Sequence, residues 1–218
     1  MKKIYDKVLM ETYLKQTKYE SIMSGLQEHL FIAQYEKNEF VTMPLQQMHL
    51  FQIIIQGTVN IYFIRDDGTV YSLASGMEND LLGEMEIFPH QPSNVYAEAN
   101  SEVICLALSI EACRGAMLEN YRFLQLICES LTQKMESITT LDAAPTSLKQ
   151  RVLVYMKYKC KGELKGLQQA AFHLNCSARQ LQRILNQHEA DGVVTKTGKG
   201  TYKLTMSSLC KAALLSIN

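Results

Sequence analysis

The sequence predicts an α+β protein: an N-terminal antiparallel β-roll, then a long helix, then a C-terminal winged helix. Three observations predict it. Apolar spacing changes from two to about 3.6 residues after Ser109. A proline follows at position 145, where helical geometry at the preceding residue is disfavoured. Charge is segregated about that proline: residues 1–144 carry 10 Lys/Arg against 19 Asp/Glu, whereas residues 145–218 carry 12 against three. Summed over all 218 residues the charge is zero, so the overall balance conceals a cationic segment of the kind that faces a polyanion such as nucleic acid.

Residues 5 to about 25 read as a helix, with Tyr5, Val8, Leu9, Tyr13 and Leu14 on one face packed against the roll. Short β-like runs follow at Phe31–Ala33, Leu50–Ile55, Val59–Ile64 and Val103–Leu108. Asp66-Asp67-Gly68 lies between two of them, and Asp-Gly tolerates the positive φ angles of a tight hairpin. Strands at this spacing imply an antiparallel roll or barrel. Met43, Met48, Met77 and Met85 with Tyr62, Tyr71 and Phe88 either line an apolar pocket in it or belong to its core.

Beyond Ser109, Tyr121, Leu124, Cys128, Leu131, Met135 and Ile138 recur at alternating spacings of three and four, a heptad seam. Phe123, Leu126 and Ile127 form a second stripe beside it, so one face can meet the roll while the other meets a partner helix. An ordinary buried helix shares this pattern. The seam stops at Leu141–Pro145, where we place a hinge.

Two capping boxes follow, Ser147-Leu148-Lys149-Gln150 and Ser177-Ala178-Arg179-Gln180. Between them, Ala171 supplies the small residue that a close helix crossing needs, and Asn175 tolerates a left-handed turn. Leu174, Leu181, Ile184 and Leu185 hold the crossing, which makes a helix-turn-helix. Val193–Leu204 then forms a hairpin with a Gly198-Lys199-Gly200 tip, the wing. The predicted domains are residues 1–120 (roll with flanking helices), 121–144 (dimerisation helix and hinge) and 145–218 (winged helix).

In this arrangement the second helix enters a major groove, with Ala178, Arg179, Gln182 and Arg183 facing the bases. Arginine donates two bonds to guanine, and glutamine pairs similarly with adenine. Ser177 and the wing residues Lys196, Lys199 and Lys203 suit backbone phosphates.

The order of elements resembles the CRP/FNR family of bacterial transcription regulators over nearly the whole chain. Ile55-Gln56-Gly57-Thr58-Val59 with Asp66-Asp67-Gly68 is similar to its glycine-bearing strand turn and hairpin, and Leu82-Gly83-Glu84-Met85-Glu86-Ile87-Phe88 to the opening of its phosphate-binding cassette. Lys149–Leu153 and Asn175–Leu185 resemble the start of its DNA-binding domain and its recognition helix. The resemblance implies a cyclic-nucleotide-binding-like roll and a homodimer on a roughly palindromic double-stranded DNA site, with RNA polymerase as a further partner.

The same resemblance places effector contacts at Gly83, Glu84, Asn94 and Val95. In cyclic-nucleotide-binding members an arginine and a small polar residue neutralise the phosphate where Asn94 and Val95 stand here. No Lys or Arg occurs between Arg65 and Arg114, while nine acids do. A charge-assisted hydrogen bond contributes roughly 1.5–3 kcal/mol, and a bidentate arginine makes two, so the effector is expected not to be cAMP. It is an unidentified small molecule or none. Glu84 is then expected to be structural, accepting N–H groups of its own turn.

Two other readings stay open: a cyclic-nucleotide-responsive regulator with an atypical phosphate site, and an interaction protein that does not bind DNA. An enzyme is not expected, because no nucleophile elbow, HExxH, P-loop or paired catalytic carboxylates occur. The six cysteines show no CxxC pair and read as reduced thiols. A haem would have to use His29, His49 or Cys105, and neither metal nor cofactor is expected. The longest apolar runs are far short of the ~20 residues of a membrane span, and the charged N-terminus lacks a signal-peptide core. A cytoplasmic location is expected.

Overall fold

The structure, a computed structural model, describes residues 1–23, 25–43, 49–65, 68–88, 95–142 and 147–205, with the side chains of 137–142 and 158 outside that description. It divides into two compact units, Met1–Thr139 and Thr140–Asn218.

Among the described residues the first unit has nine strands: β1 Lys2–Ile4, β2 Phe31–Tyr35, β3 Phe40–Thr42, β4 Leu50–Gln56, β5 Val59–Ile64, β6 Val70–Gly76, β7 Leu81–Leu82, β8 Val95–Ala99 and β9 Val103–Ser109. They form two antiparallel sheets, ordered β1-β2-β9-β4-β7 and β3-β8-β5-β6. The runs expected as strands are strands. The Asp66-Asp67 turn lies outside the described residues, but its flanks pair Ile64 with Val70, and Gly68 takes φ +79°.

The apolar run in β4 reflects burial on both faces. Leu50 and Ile54 face the roll interior with Phe31, Tyr35, Val59 and Cys105. Phe51 and Ile53 face the opposite way, into a second cluster with the helices α1 (Lys7–Gln16), α2 (Ile110–Glu119) and α3 (Tyr121–Asp142). Gln52 is completely buried and accepts a hydrogen bond from the Tyr35 hydroxyl at 2.7 Å.

The N-terminal helix is shorter than expected. Asp6 caps α1 by accepting from the Leu9 N–H, and the chain turns extended at Thr17. Tyr19, Met23 and Leu26 reach the core from turns rather than from a continued helix. Tyr5 and Val8 are 72% and 75% exposed, so the packed face is Leu9, Met10, Tyr13 and Leu14. Tyr5 precedes the Asp6 cap and so lies outside the helix, whereas Val8 lies within it but about 140° around the axis from Tyr13, on the solvent side.

Three faces of α3 can be told apart at ~100° per residue. Phe123, Leu126 and Ile127 are buried against the roll. Arg122, Gln125, Glu129, Thr132, Gln133 and Glu136 make a polar face. Between these lies the heptad seam, described below.

The second unit contains α4 (Leu148–Tyr158), β10 (Glu163–Lys165), α5 (Leu167–His173), α6 (Ala178–Ala190), β11 (Val194–Gly198) and β12 (Thr201–Leu204). Both capping boxes form: Ser147 and Ser177 each accept from the backbone of the glutamine three residues on, whose side chain returns a bond to the cap. Asn175 takes φ +51°, and Ala171 is buried at the crossing of α5 and α6. The sheet runs β10-β12-β11, so the wing hairpin acquires a third strand that the sequence reading lacked. Leu181, Ile184, Leu185, Tyr202 and Leu204 share one core with α4 and α5. Of the expected hinge, Leu141–Pro145, the first two residues end α3 and residues 143–145 lie outside the description.

Candidate nucleic-acid interface and effector cassette

The core positions α6 by burying one side of it: Leu181, Ile184, Leu185 and His188 are inside. His188 Nε2 lies 3.2 Å from the Lys149 carbonyl of α4, and Arg151 Nη2 donates to the Leu174 carbonyl at 3.1 Å. These bonds tie the helix and its preceding turn to α4. The opposite side carries Arg179 and Arg183, both exposed, with no hydrogen bond or ion pair among the described residues. Two guanidiniums one turn apart, each with a planar fork of donors, match guanine edges or phosphates.

Other expected contacts differ. Ala178 is half-buried and packs against the unit's core, because it lies only about 60° around the helix from Leu181. Ser177 is exposed, but its hydroxyl oxygen accepts from the Gln180 N–H at 3.1 Å and donates to Gln180 Oε1 at 3.2 Å. Gln182 is held by Asn186 and by Tyr202 of β12. An open cleft on the outer side is lined by Ser177, Arg179, Gln180, Gln182, Arg183 and Asn186. Asn186 and Tyr202 were absent from the sequence reading. The Gln182/Asn186 spacing of four was the available signal for one, and nothing local signalled the other.

Lys196, Lys199 and Lys203 are exposed but do not form one patch. Lys196 pairs with Tyr202 across the ladder and Lys203 with Thr195, so these two lysines occupy opposite faces of the hairpin. Lys203 also stands opposite Glu163 of β10.

In the roll, Gly83 has φ +90°, and a Cβ there would sit 2.1 Å from the Leu50 carbonyl oxygen. Only glycine lets the chain turn so close to β4. Glu84 follows, its side chain 4% exposed. Contrary to the expectation, it does not accept from its own turn. Its Oε1 accepts from the Ser130 hydroxyl at 2.6 Å and the Lys134 ammonium at 2.5 Å, both on α3. Lys134 also donates to the Leu81 carbonyl at 2.7 Å. A second cation, Arg114 of α2, donates to the Glu86 carbonyl at 3.3 Å.

The positive charge missing between Arg65 and Arg114 thus arrives from the helices behind the cassette. Ser130 and Lys134 stand four apart on α3, but their partner lies 46 and 50 residues earlier, which no local pattern encodes. Val95 begins β8, half-buried and paired with Phe63; Asn94 lies outside the described residues.

The seven residues weighed as a pocket do not converge. Met43, Met77, Met85 and Phe88 are exposed, and Met48 is outside the description. Tyr62 stacks on Tyr96 whereas Tyr71 packs on Phe63, and neighbouring residues of β5 face opposite sides of the sheet. Of the haem candidates, Cys105 is fully buried among apolar side chains, and burial pushes its thiol up to about 12.

Along the seam, Tyr121 and Met135 are 77% and 65% exposed and Cys128 is exposed. Leu124 and Leu131 are half-buried, Leu131 touching the roll's core. The side chain of Ile138 lies outside the description.

Residues 32–120 match the family model of the cyclic nucleotide-binding domain. The regulatory protein YeiL of Escherichia coli O157:H7 is 27% identical over 170 residues, covering 74% of this chain and 76% of YeiL. Among solved structures, the c-di-GMP-responsive global regulator CLP of Xanthomonas campestris superposes with a TM-score of 0.71 at 19% identity, over 85% of this chain and 98% of CLP. A CRP/FNR-family transcriptional regulator of Thermus thermophilus superposes at 0.63 and 14% identity, over 84% of this chain and 98% of that one. Among the described residues no helix is long and apolar enough to cross a membrane. With a β-roll whose residues 32–120 match the cyclic nucleotide-binding domain model, and a C-terminal helix-turn-helix unit, the chain has the fold of the CRP/FNR transcription regulators.

Proposed function

We propose that the protein is a homodimeric, sequence-specific DNA-binding transcription regulator. The roll (1–120) is its sensor, residues 121–144 provide the dimer helix and hinge, and residues 145–218 are the DNA-reading unit. The observation that carries this is the outer side of α6, where Arg179 and Arg183 stand exposed and uncommitted on a helix held rigidly by its other side. Each protomer inserts α6 into one major groove. The wing lysines meet phosphates, and the exposed seam residues of α3 pair with those of a second copy about a two-fold axis, giving an approximately palindromic site. RNA polymerase is the partner such a regulator addresses from its operator.

The roll's effector is not a cyclic nucleotide in this reading, because Glu84 is already neutralised by Lys134 and hydrogen-bonded by Ser130. The test is direct. Sedimentation of the full-length protein reports a dimer, and a duplex selected from genomic fragments binds with affinity falling roughly a thousandfold between about 50 and 200 mM salt. A monomer with no selectivity, or binding indifferent to salt, refutes the proposal. Calorimetry with cAMP and cGMP yields no saturable heat.

A further inference from the structure

Gln182, Asn186 and Glu189 stand four and three residues apart on α6, a stripe within about 60° of arc that lies between the buried side and the two arginines. All three bond the wing, and together they reach both of its strands. Gln182 and Asn186 contact the Tyr202 hydroxyl of β12 at 2.5 and 3.3 Å, and each other at 2.7 Å. The Lys196 N–H of β11 donates to Glu189 Oε1 at 3.3 Å. Turning the Gln182 and Asn186 amides over together keeps the three contacts with donors and acceptors exchanged. The link between helix and wing therefore does not depend on which end of either amide is nitrogen.

We infer that Gln182, Asn186, Glu189 and Tyr202 are positioning residues: they fix the wing against α6, so that the arginines of the helix and the lysine at the wing tip meet one duplex in a set register. The inference rests on the DNA-reading function proposed above and goes beyond it, because it gives Gln182 a link to the wing in place of a base contact. Residue type by itself offers that glutamine to adenine. Its place on the stripe turns it to the wing instead.

The wing needs such a link. Val194, Tyr202 and Leu204 are buried in the unit's core, whereas residues 195–199 are all exposed. Strand β11 has only β12 beside it, and a ribbon of two strands is marginal by itself. A tip held loosely would have to be ordered when DNA binds, at a cost in affinity. The Tyr202 ring is wholly buried with Leu181 and Leu185, so its hydroxyl meets the stripe from a fixed place.

The experiment titrates the full-length protein against one selected duplex and its single-base variants, in a cycle of wild type, Lys199→Ala, Tyr202→Phe and the double variant. In wild type, Lys199→Ala weakens all duplexes alike and takes about one from the slope of log affinity against log salt. Tyr202→Phe keeps the buried ring and loses both hydroxyl bonds. It weakens all duplexes alike by roughly fivefold, the order of one net hydrogen bond, and keeps the base preference. In that background Lys199→Ala has less than about half its wild-type effect on log affinity, because the tip is no longer held to its phosphate. Asn186→Ala and Glu189→Ala, both exposed substitutions, couple to Lys199→Ala in the same way and cover the case in which Tyr202→Phe does not fold. Gln182→Ala behaves as they do, lowering affinity without altering preference at any base position.

A purely stabilising role moves the unfolding midpoint and leaves Lys199→Ala its full effect in every background, which overturns the inference. So does a change of preference confined to one base position in Gln182→Ala, or a wild type in which Lys199→Ala costs nothing. The DNA-reading function survives each of these results. Wild type that prefers no sequence at all defeats both.

Discussion

Replacing Lys134 by methionine tests the polar knot between the cassette and α3. The substitution keeps most of the stem and removes the ammonium that bonds Glu84 and the Leu81 carbonyl. Glu84 is then left as a carboxylate whose side chain is 4% exposed, with only the Ser130 hydroxyl as partner. Removing one member of a buried pair typically destabilises by about 3–5 kcal/mol. The lower end applies, because the Lys134 side chain is 29% exposed and Ser130 still donates to the charge. We expect about 3 kcal/mol, which for a protein of this size lowers the unfolding midpoint by roughly 6–12 °C.

The two single changes are not equivalent. Glu84→Gln leaves Lys134, which reaches solvent, so it destabilises less than Lys134→Met does. The double substitution Glu84→Gln/Lys134→Met recovers part of the loss, because no buried charge is left alone. Calorimetric or circular-dichroism unfolding of the four proteins gives the coupling energy directly. If Lys134→Met destabilises by under about 1 kcal/mol, or the cycle shows no coupling, the pair behaves as an exposed surface bridge, and the reasoning from burial is wrong.

Arg183→Ala should lose roughly 1–3 kcal/mol of discrimination at one base position, whereas Lys199→Ala should weaken all sequences about equally and reduce the salt slope by about one; titrations against site variants separate the two. Gly83→Ala should destabilise the roll by at least ~2 kcal/mol, since its φ of +90° and the 2.1 Å approach to the Leu50 oxygen both oppose a Cβ; a denaturation midpoint like that of wild type would contradict this. Burial, and then the Lys159 charge, hold the His173 pKa below its ordinary 6.5. The unfolded chain therefore binds this proton first: the contribution to stability is complete above 6.5 and declines as pH falls below it. Urea unfolding between pH about 7.5 and about 5.5 should show this slope, and His173→Gln should flatten it.

Much of the fold was legible because its determinants are local. The glutamines at 150 and 180 close capping boxes with serines three residues before them. Asn175 adopts the left-handed geometry for which its residue type is suited. The runs in β4, β5 and β9 are strands because their apolar density suits a sheet covered on both faces or alternates across one. Misreadings came from local detail: the Asp6 cap starts the helix beyond Tyr5, and Val8 stands about 140° around α1 from Tyr13, on the solvent side. Ala178 fits the recognition-helix pattern, yet its angular place near Leu181 takes it into the core.

By itself the sequence determined the order of elements, the segregation of charge, the heptad spacing and the two arginines on the second helix of the helix-turn-helix, because each depends on residues within a few turns of one another. The tertiary structure alone decided what Glu84 and Gln182 do. Glu84 meets Ser130 and Lys134 across 46 and 50 residues, and Gln182 meets Tyr202 across 20. A hydrogen bond depends on distance and angle in space, and for partners so far apart along the chain both are set by how the helices and sheets pack.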